Sequence, residues 1–277
     1  MPQISAHQRP KVEVNASHRY GNLLVHDRLS FAVARNEFVC ICGPSGCGKT
    51  TLLDCLAGIL RPTLGSVLID GAAADPKQQS ISFVFQEPST FPWLTVFDNV
   101  ATGLRIKGTS AADVTLKARE IIDIVGLTGF EGYYPHQISG GMKQRVAIAR
   151  AFATDADLIL MDEPFVSLDQ PTRERMQREV LDIWRRRVRT VIFVTHNIEE
   201  AVFLGDRILI LSEKPAHIVA DLPVSLEHPR DPLSSEFMRL RSECVHWLRP
   251  SGSAARAAGD AERTADMGRE ILADPQV

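Results

Sequence analysis

The segment Gly43-Pro-Ser-Gly-Cys-Gly-Lys-Thr50 constrains this chain more than any other, because it joins a run of buried-strand character at 38–42 to a helical stretch that starts at Lys49. A GxxxxGK[ST] loop in that setting is a phosphate cradle. Its glycines let successive backbone N–H groups curl around a phosphate, and the following helix adds the positive end of its dipole. Gly43, Pro44, Ser45, Gly46, Cys47, Gly48 and Thr51 then form or flank the cradle. Lys49 reaches the β- and γ-phosphates of a nucleotide, and the Thr50 hydroxyl is a Mg²⁺ ligand.

A second feature completes that chemistry. Residues 157–161 form an apolar run that reads as a central strand, and Asp162 and Glu163 stand at its C-terminal end, where ligands of open α/β sheets bind. Asp162 is the candidate holder of Mg²⁺, and Glu163 is placed to polarise a water attacking the γ-phosphate. On their own, paired carboxylates also suit the first turn of a helix.

Further strands are expected at 12–14, 29–33, 66–69, 81–85, 190–195 and 207–211, with helices at 115–125, 141–153, 172–187 and 197–204. Strand and helix alternation implies a parallel sheet. The fold class is therefore α/β, with an antiparallel β subdomain at the N-terminus. Residues 87–154 break the rhythm and read as an inserted helical subdomain. A main domain is expected over 10–225, with a C-terminal extension over 226–277. The stretch 251–277, rich in Ala, Gly, Arg and Asp, is expected to be a mobile appendage, a weak helix near 254–272 being the less favoured alternative.

The formal net charge of -3 excludes the basic stripe of a nucleic-acid binder. Five cysteines without a CxxC pair suggest reduced thiols, not a zinc site. The first residues are polar and lack the apolar core of a secretory signal. No run approaches the ~20 residues that cross a bilayer, so any membrane role is expected from a partner.

Ile138-Ser-Gly-Gly-Met-Lys-Gln-Arg145 resembles the LSGGQ signature of ABC-transporter ATPases. Ser139, Gly140 and Gly141 precede an Ala-rich helix and so offer a second anion site at a helix start. The resemblance covers roughly residues 10–220 and implies a P-loop NTPase (RecA-like) core that hydrolyses ATP with Mg²⁺. It implies that the signature binds the γ-phosphate held by a second copy of the chain, in a head-to-tail dimer. Gln86 matches the glutamine that senses Mg²⁺ and the attacking water, Ser167-Leu-Asp169 the D-loop, His196 the switch histidine, and Tyr20 the aromatic that stacks on adenine.

Finer features are similar to one importer branch, serving nitrate, sulfonates, taurine and related small solutes: GPSGCGKTTLL at 43–53, Phe91-Pro-Trp93, and methionine at Met142. That likeness implies membrane permease subunits, an extracytoplasmic solute-binding protein, and a peripheral place on the cytoplasmic face of the cell membrane. Trp93 falls where such ATPases meet the permease, although Phe91 and Trp93 also suit a core. The sequence departs from the branch at Asn36, which replaces a turn glycine; Asn tolerates positive φ, so the turn can persist. The rival readings are an ABC ATPase of DNA repair or translation and a regulatory nucleotide-binding module. Neither fits as well, since no long heptad insertion is present and both Glu163 and His196 are.

Overall fold

The computed structural model describes residues 10–249. The stretch 251–277, including the less favoured helix near 254–272, lies outside them.

Two sheets organise the chain. In the smaller, β1 (Val12–Tyr20) and β2 (Leu23–Val33) form an antiparallel hairpin across Gly21, whose φ of 56° suits a residue without Cβ. Leu64–Ile69 (β4) pairs antiparallel with the other edge of β1, and Ala72–Ala73 (β5) closes the sheet. The hairpin strands run longer than the short expected segments. Only their inner halves alternate cleanly between apolar and polar residues.

The larger sheet contains β3 (Phe38–Cys42), β6 (Ile81–Val84), β7 (Leu158–Asp162), β8 (Thr190–Thr195), β9 (Arg207–Leu211) and β10 (Ile218–Pro223), in the order β10-β9-β3-β8-β7-β6. All pairs are parallel except β10 with β9. Every residue of β3, β7 and β8 is buried, as expected of strands covered on both faces. Side chains alternate between two cores. Val39 and Ile41 face the one shared with α1 (Lys49–Leu56) and the β subdomain; Phe38, Cys40 and Cys42 face the one covered by the remaining helices.

Those helices are α2 (Val96–Ile106), α3 (Ala111–Ile124), α4 (Gly140–Ala153), α5 (Gln170–Arg186), α6 (Ile198–Leu204) and α7 (Ser235–Leu248). Each starts at a side-chain cap: Thr95, Ser110, Ser139, Asp169, Asn197 and Ser234 accept a backbone N–H from the first turn. Each such cap stabilises its helix by about 1 kcal/mol. α2 to α4 form the inserted helical layer.

Asn36 has a φ of 64°, and its N–H donates to Thr190 Oγ1 at 2.9 Å, so asparagine holds the left-handed turn before β3. The strand expected at 81–85 ends at Val84, which leaves Phe85 and Gln86 on the following loop. β10 and α7 have no counterpart among the expected elements. Arg230, buried, donates to the carbonyls of Val202, Phe203 and Gly205 at the end of α6, and Phe237 and Cys244 of α7 join the larger core. Among the described residues, no helix is long and apolar enough to cross a membrane.

Candidate functional site

The loop between β3 and α1 fits an anion. Gly48 caps α1 without a side chain, leaving the first helical N–H groups without an intrahelical partner. Its φ is 109°, and a Cβ there would meet Val25 Cγ1 at 2.5 Å and His26 Nε2 at 2.7 Å, so only glycine fits. The Gly48 carbonyl accepts the Leu52 N–H and lies 2.9 Å from His26 Nε2. Cys47 is buried within the loop, and burial raises its thiol pKa above the ordinary value.

Lys49 is only 6% exposed, and its Nζ donates to the carbonyls of Gly43 (3.0 Å) and Pro44 (3.1 Å). The same ammonium lies 3.8 Å from Glu163 Oε1. Thr50 Oγ1 donates to Asp162 Oδ2 at 2.7 Å. Burial raises the Asp162 carboxyl pKa, with the Thr50 hydrogen bond opposing it. A hydroxyl and a carboxylate meeting here are hard oxygen donors of the kind Mg²⁺ takes beside nucleotide phosphates, so the residues present fit that ion.

Glu163 follows the end of β7 with a φ of 43°, a conformation that L-residues adopt at a cost of about 1–3 kcal/mol. Its N–H donates to Val194 O, and its Oε2 lies 2.7 Å from His196 Nδ1. An ionised carboxylate only accepts, so Nδ1 carries the hydrogen of this bond. Lys49, Thr50, Asp162, Glu163 and His196 thus converge at the C-terminal ends of β3, β7 and β8.

The other expected site residues stand apart. Among the described residues, no hydrogen bond or ion pair joins Tyr20, Gln86, Ser139, Gly140, Gly141 or Asp169 to that cluster. Tyr20 is exposed at the end of β1, edge-on to His18. Gln86 is exposed; the preceding Phe85 carbonyl accepts from Gln144 of α4. Ser139 caps α4 by accepting the Met142 N–H, Gly140 is open to space, and a Cβ on Gly141 would sit 3.1 Å from Leu168. Asp169 caps α5, and the Thr172 hydrogen bond lowers its carboxyl pKa.

Trp93 is 71% exposed, so it does not belong to the core. Phe91 is half-buried under the Arg150 guanidinium, 5.0 Å from its ring centre. Fully buried Asn99 fixes this segment by donating to the carbonyls of Phe91, Leu94 and Thr95 and accepting the Phe91 N–H. Motif spacing does not single out His26, Arg173 or Glu200, all polar groups bonded to the site loops; a polar residue at an inward position of β2 is the available signal for His26.

The family described as ABC transporter matches residues 26–166. An uncharacterized ABC transporter ATP-binding protein of Methanocaldococcus jannaschii is 46% identical over 223 residues, covering 80% of this chain and 84% of its own. An aliphatic sulfonates import ATP-binding protein, SsuB, of Bacillus anthracis is 41% identical over 246 residues, covering 87% and 97%. Among solved structures, a dimeric ATP-binding cassette in a post-hydrolysis state with ADP and Pi aligns with a TM-score of 0.68 at 31% identity, over 78% of this chain and all of that one. A component of a Clostridium perfringens transporter complex aligns with a TM-score of 0.71 at 21% identity, over 86% and 94%, a likeness of fold.

Proposed function

The chain belongs to the ABC transporter family as an ATP-binding ATPase subunit, and we propose that it drives import of a small solute of the sulfonate class through a separate permease. The observation that carries the reading is the Lys49–Glu163–His196 cluster beside the Thr50–Asp162 pair. The likeness to relatives named as sulfonate importers, over nearly their full length, supports the direction and solute class proposed.

In this reading the 43–51 loop holds the phosphates, and Tyr20 stacks on adenine. Thr50 and Asp162 would hold Mg²⁺, with Gln86 reaching it from the loop after β6. When bound there, the ion would supply positive charge against the charge that develops on the phosphates. Lys49 is already desolvated, so it need only exchange the carbonyls of Gly43 and Pro44 for phosphate oxygens. Glu163 Oε1 accepts the proton of the attacking water while His196 holds Oε2, fixing the carboxylate plane. Ser139, Gly140, Gly141 and Asp169 act toward the nucleotide of a second copy in a head-to-tail dimer. Exposed Trp93 anchors the permease on the cytoplasmic face of the membrane.

The test is to reconstitute the chain with its permease and candidate solute-binding proteins and to measure ATPase stimulation by alkanesulfonates, taurine and nitrate. Stimulation by a sulfonate supports the reading. Equal rates with and without every solute overturn the importer assignment while leaving the ATPase intact.

A further inference from the structure

Two loops carry the groups around Glu163, and one ion pair, between a half-buried Arg173 and a buried Glu200, ties them together. Phe165 and Leu168 are buried and anchor the loop after Glu163, while Val166, Ser167 and Asp169 are exposed. Arg173 of α5 holds this loop by its backbone: Nη2 donates to Leu168 O at 2.9 Å and Nε to Phe165 O at 3.3 Å. The side chain of Leu168 in turn lies near the start of α4, where a Cβ on Gly141 would come within 3.1 Å of it.

On the other side, Glu200 of α6 is 5% exposed, and its Oε2 accepts the Thr195 hydroxyl at 2.7 Å. Thr195 Oγ1 also accepts the Asn197 N–H at 3.0 Å, so the turn that presents His196 is pinned from both ends. Glu200 Oε1 lies 3.8 Å from Arg173 Nε. A cavity of about 30 Å³ opens among Arg173, Glu200, Glu163 and His196, large enough for a water molecule to join these polar groups.

We propose that the Arg173–Glu200 pair is the internal link that sets His196 on Glu163 according to the position of the 165–168 loop, which makes both of them positioning residues for hydrolysis. The inference rests on the ATPase site assigned above. A shift of Leu168, whether from the start of α4 or from a second copy touching the exposed loop, moves the Arg173 guanidinium. Glu200, a buried charge whose cationic partner is Arg173, follows it. Thr195 and the His196 turn move with the carboxylate. Neither Arg173 nor Glu200 is bonded to Lys49, Thr50 or the rest of the 43–51 loop, so the pair acts on the rate step and leaves nucleotide binding alone.

The experiment compares Arg173→Lys, Glu200→Gln and the double variant with the wild-type full chain, by steady-state ATPase kinetics and titration of a fluorescent ATP analogue. Lysine keeps the charge but not the forked donors that reach two carbonyls. Glutamine keeps the shape and the acceptor for Thr195. Each single variant is expected to lose about 10–100-fold in kcat, with KM and analogue affinity within about threefold of wild type. The double variant is expected to be no slower than the worse single one, because coupled residues fail to add. Wild-type kcat in Glu200→Gln, a loss confined to KM, or additive losses overturn the inference. Should Arg173→Lys not fold, Glu200→Gln decides by the same split of kcat against KM. Glu163→Gln, run alongside, separates two failures: if it hydrolyses ATP normally, the site assignment itself falls; if it is inactive while Glu200→Gln is normal, only the link falls.

Discussion

Glu163 Oε2 and His196 Nδ1 lie 2.7 Å apart across 33 positions of sequence. They meet because β7 and β8 are parallel neighbours with Asp162 opposite Val194, so Glu163, one residue beyond that pair, and His196, two residues beyond it, leave the same end of adjacent strands. The left-handed backbone of Glu163 and its N–H bond to Val194 fix the approach.

Glu163→Gln is expected to bind ATP and to lose at least about two orders of magnitude in turnover, the usual contribution of a general base. Removing the charge also relieves repulsion with the γ-phosphate, so gel filtration with ATP should show a dimer of the isolated subunit. Adding Ser139→Ala or Gly141→Ala should abolish that dimer. Near wild-type hydrolysis in Glu163→Gln would remove the base assignment; an inactive but monomeric variant would remove the head-to-tail pairing.

Lys49→Ala deletes the cation already desolvated beside the loop carbonyls and Glu163. ATP affinity measured by equilibrium titration should drop by about 2 kcal/mol or more, the scale of a charge-assisted hydrogen bond to phosphate. Undiminished affinity would refute the phosphate-loop assignment.

Trp93→Ala should leave the melting temperature and ATP affinity of the isolated subunit unchanged, since the side chain is 71% exposed. In the complex with permease, solute-stimulated ATPase should be lost or the subunit should dissociate, consistent with an aromatic anchor. A large drop in the stability of the isolated subunit would contradict its exposed position.

His228 provides a pH test of the C-terminal segment. Burial pushes its imidazole down to about 4 from an ordinary value near 6.5, with Arg230 and Arg185 adding to the effect. Between those two values the unfolded chain binds more protons than the folded one, so folding stability falls as pH drops through this window. Replacing His228 with Phe should flatten the loss of denaturant midpoint between pH 6.5 and pH 4 relative to wild type. An unchanged slope would show that this histidine does not drive the acid sensitivity.

Local chemistry makes the chain's main features legible in its sequence. The glycine pattern at 43–48 requires positive φ and close backbone approach, both seen at Gly48, and those demands depend on the missing side chain alone. Asn36 is legible for a similar reason: few side chains accept its backbone conformation. Apolar runs long enough to be buried on both faces mark β3, β7 and β8. By contrast, α7 contributes only Phe237 and Cys244 to the fully buried core, seven residues apart, a stripe too thin to stand out among prolines and charges. The Thr50–Asp162 and Glu163–His196 contacts depend on strand order, which puts β7 beside β8 and β8 beside β3 although their residues are far apart in the chain. The pairing of Arg173 with Glu200 likewise exists only because α5 and α6 pack together. Patterns of spacing report what each segment does to its own backbone; which charges face each other is set by packing between segments, where no local pattern reaches.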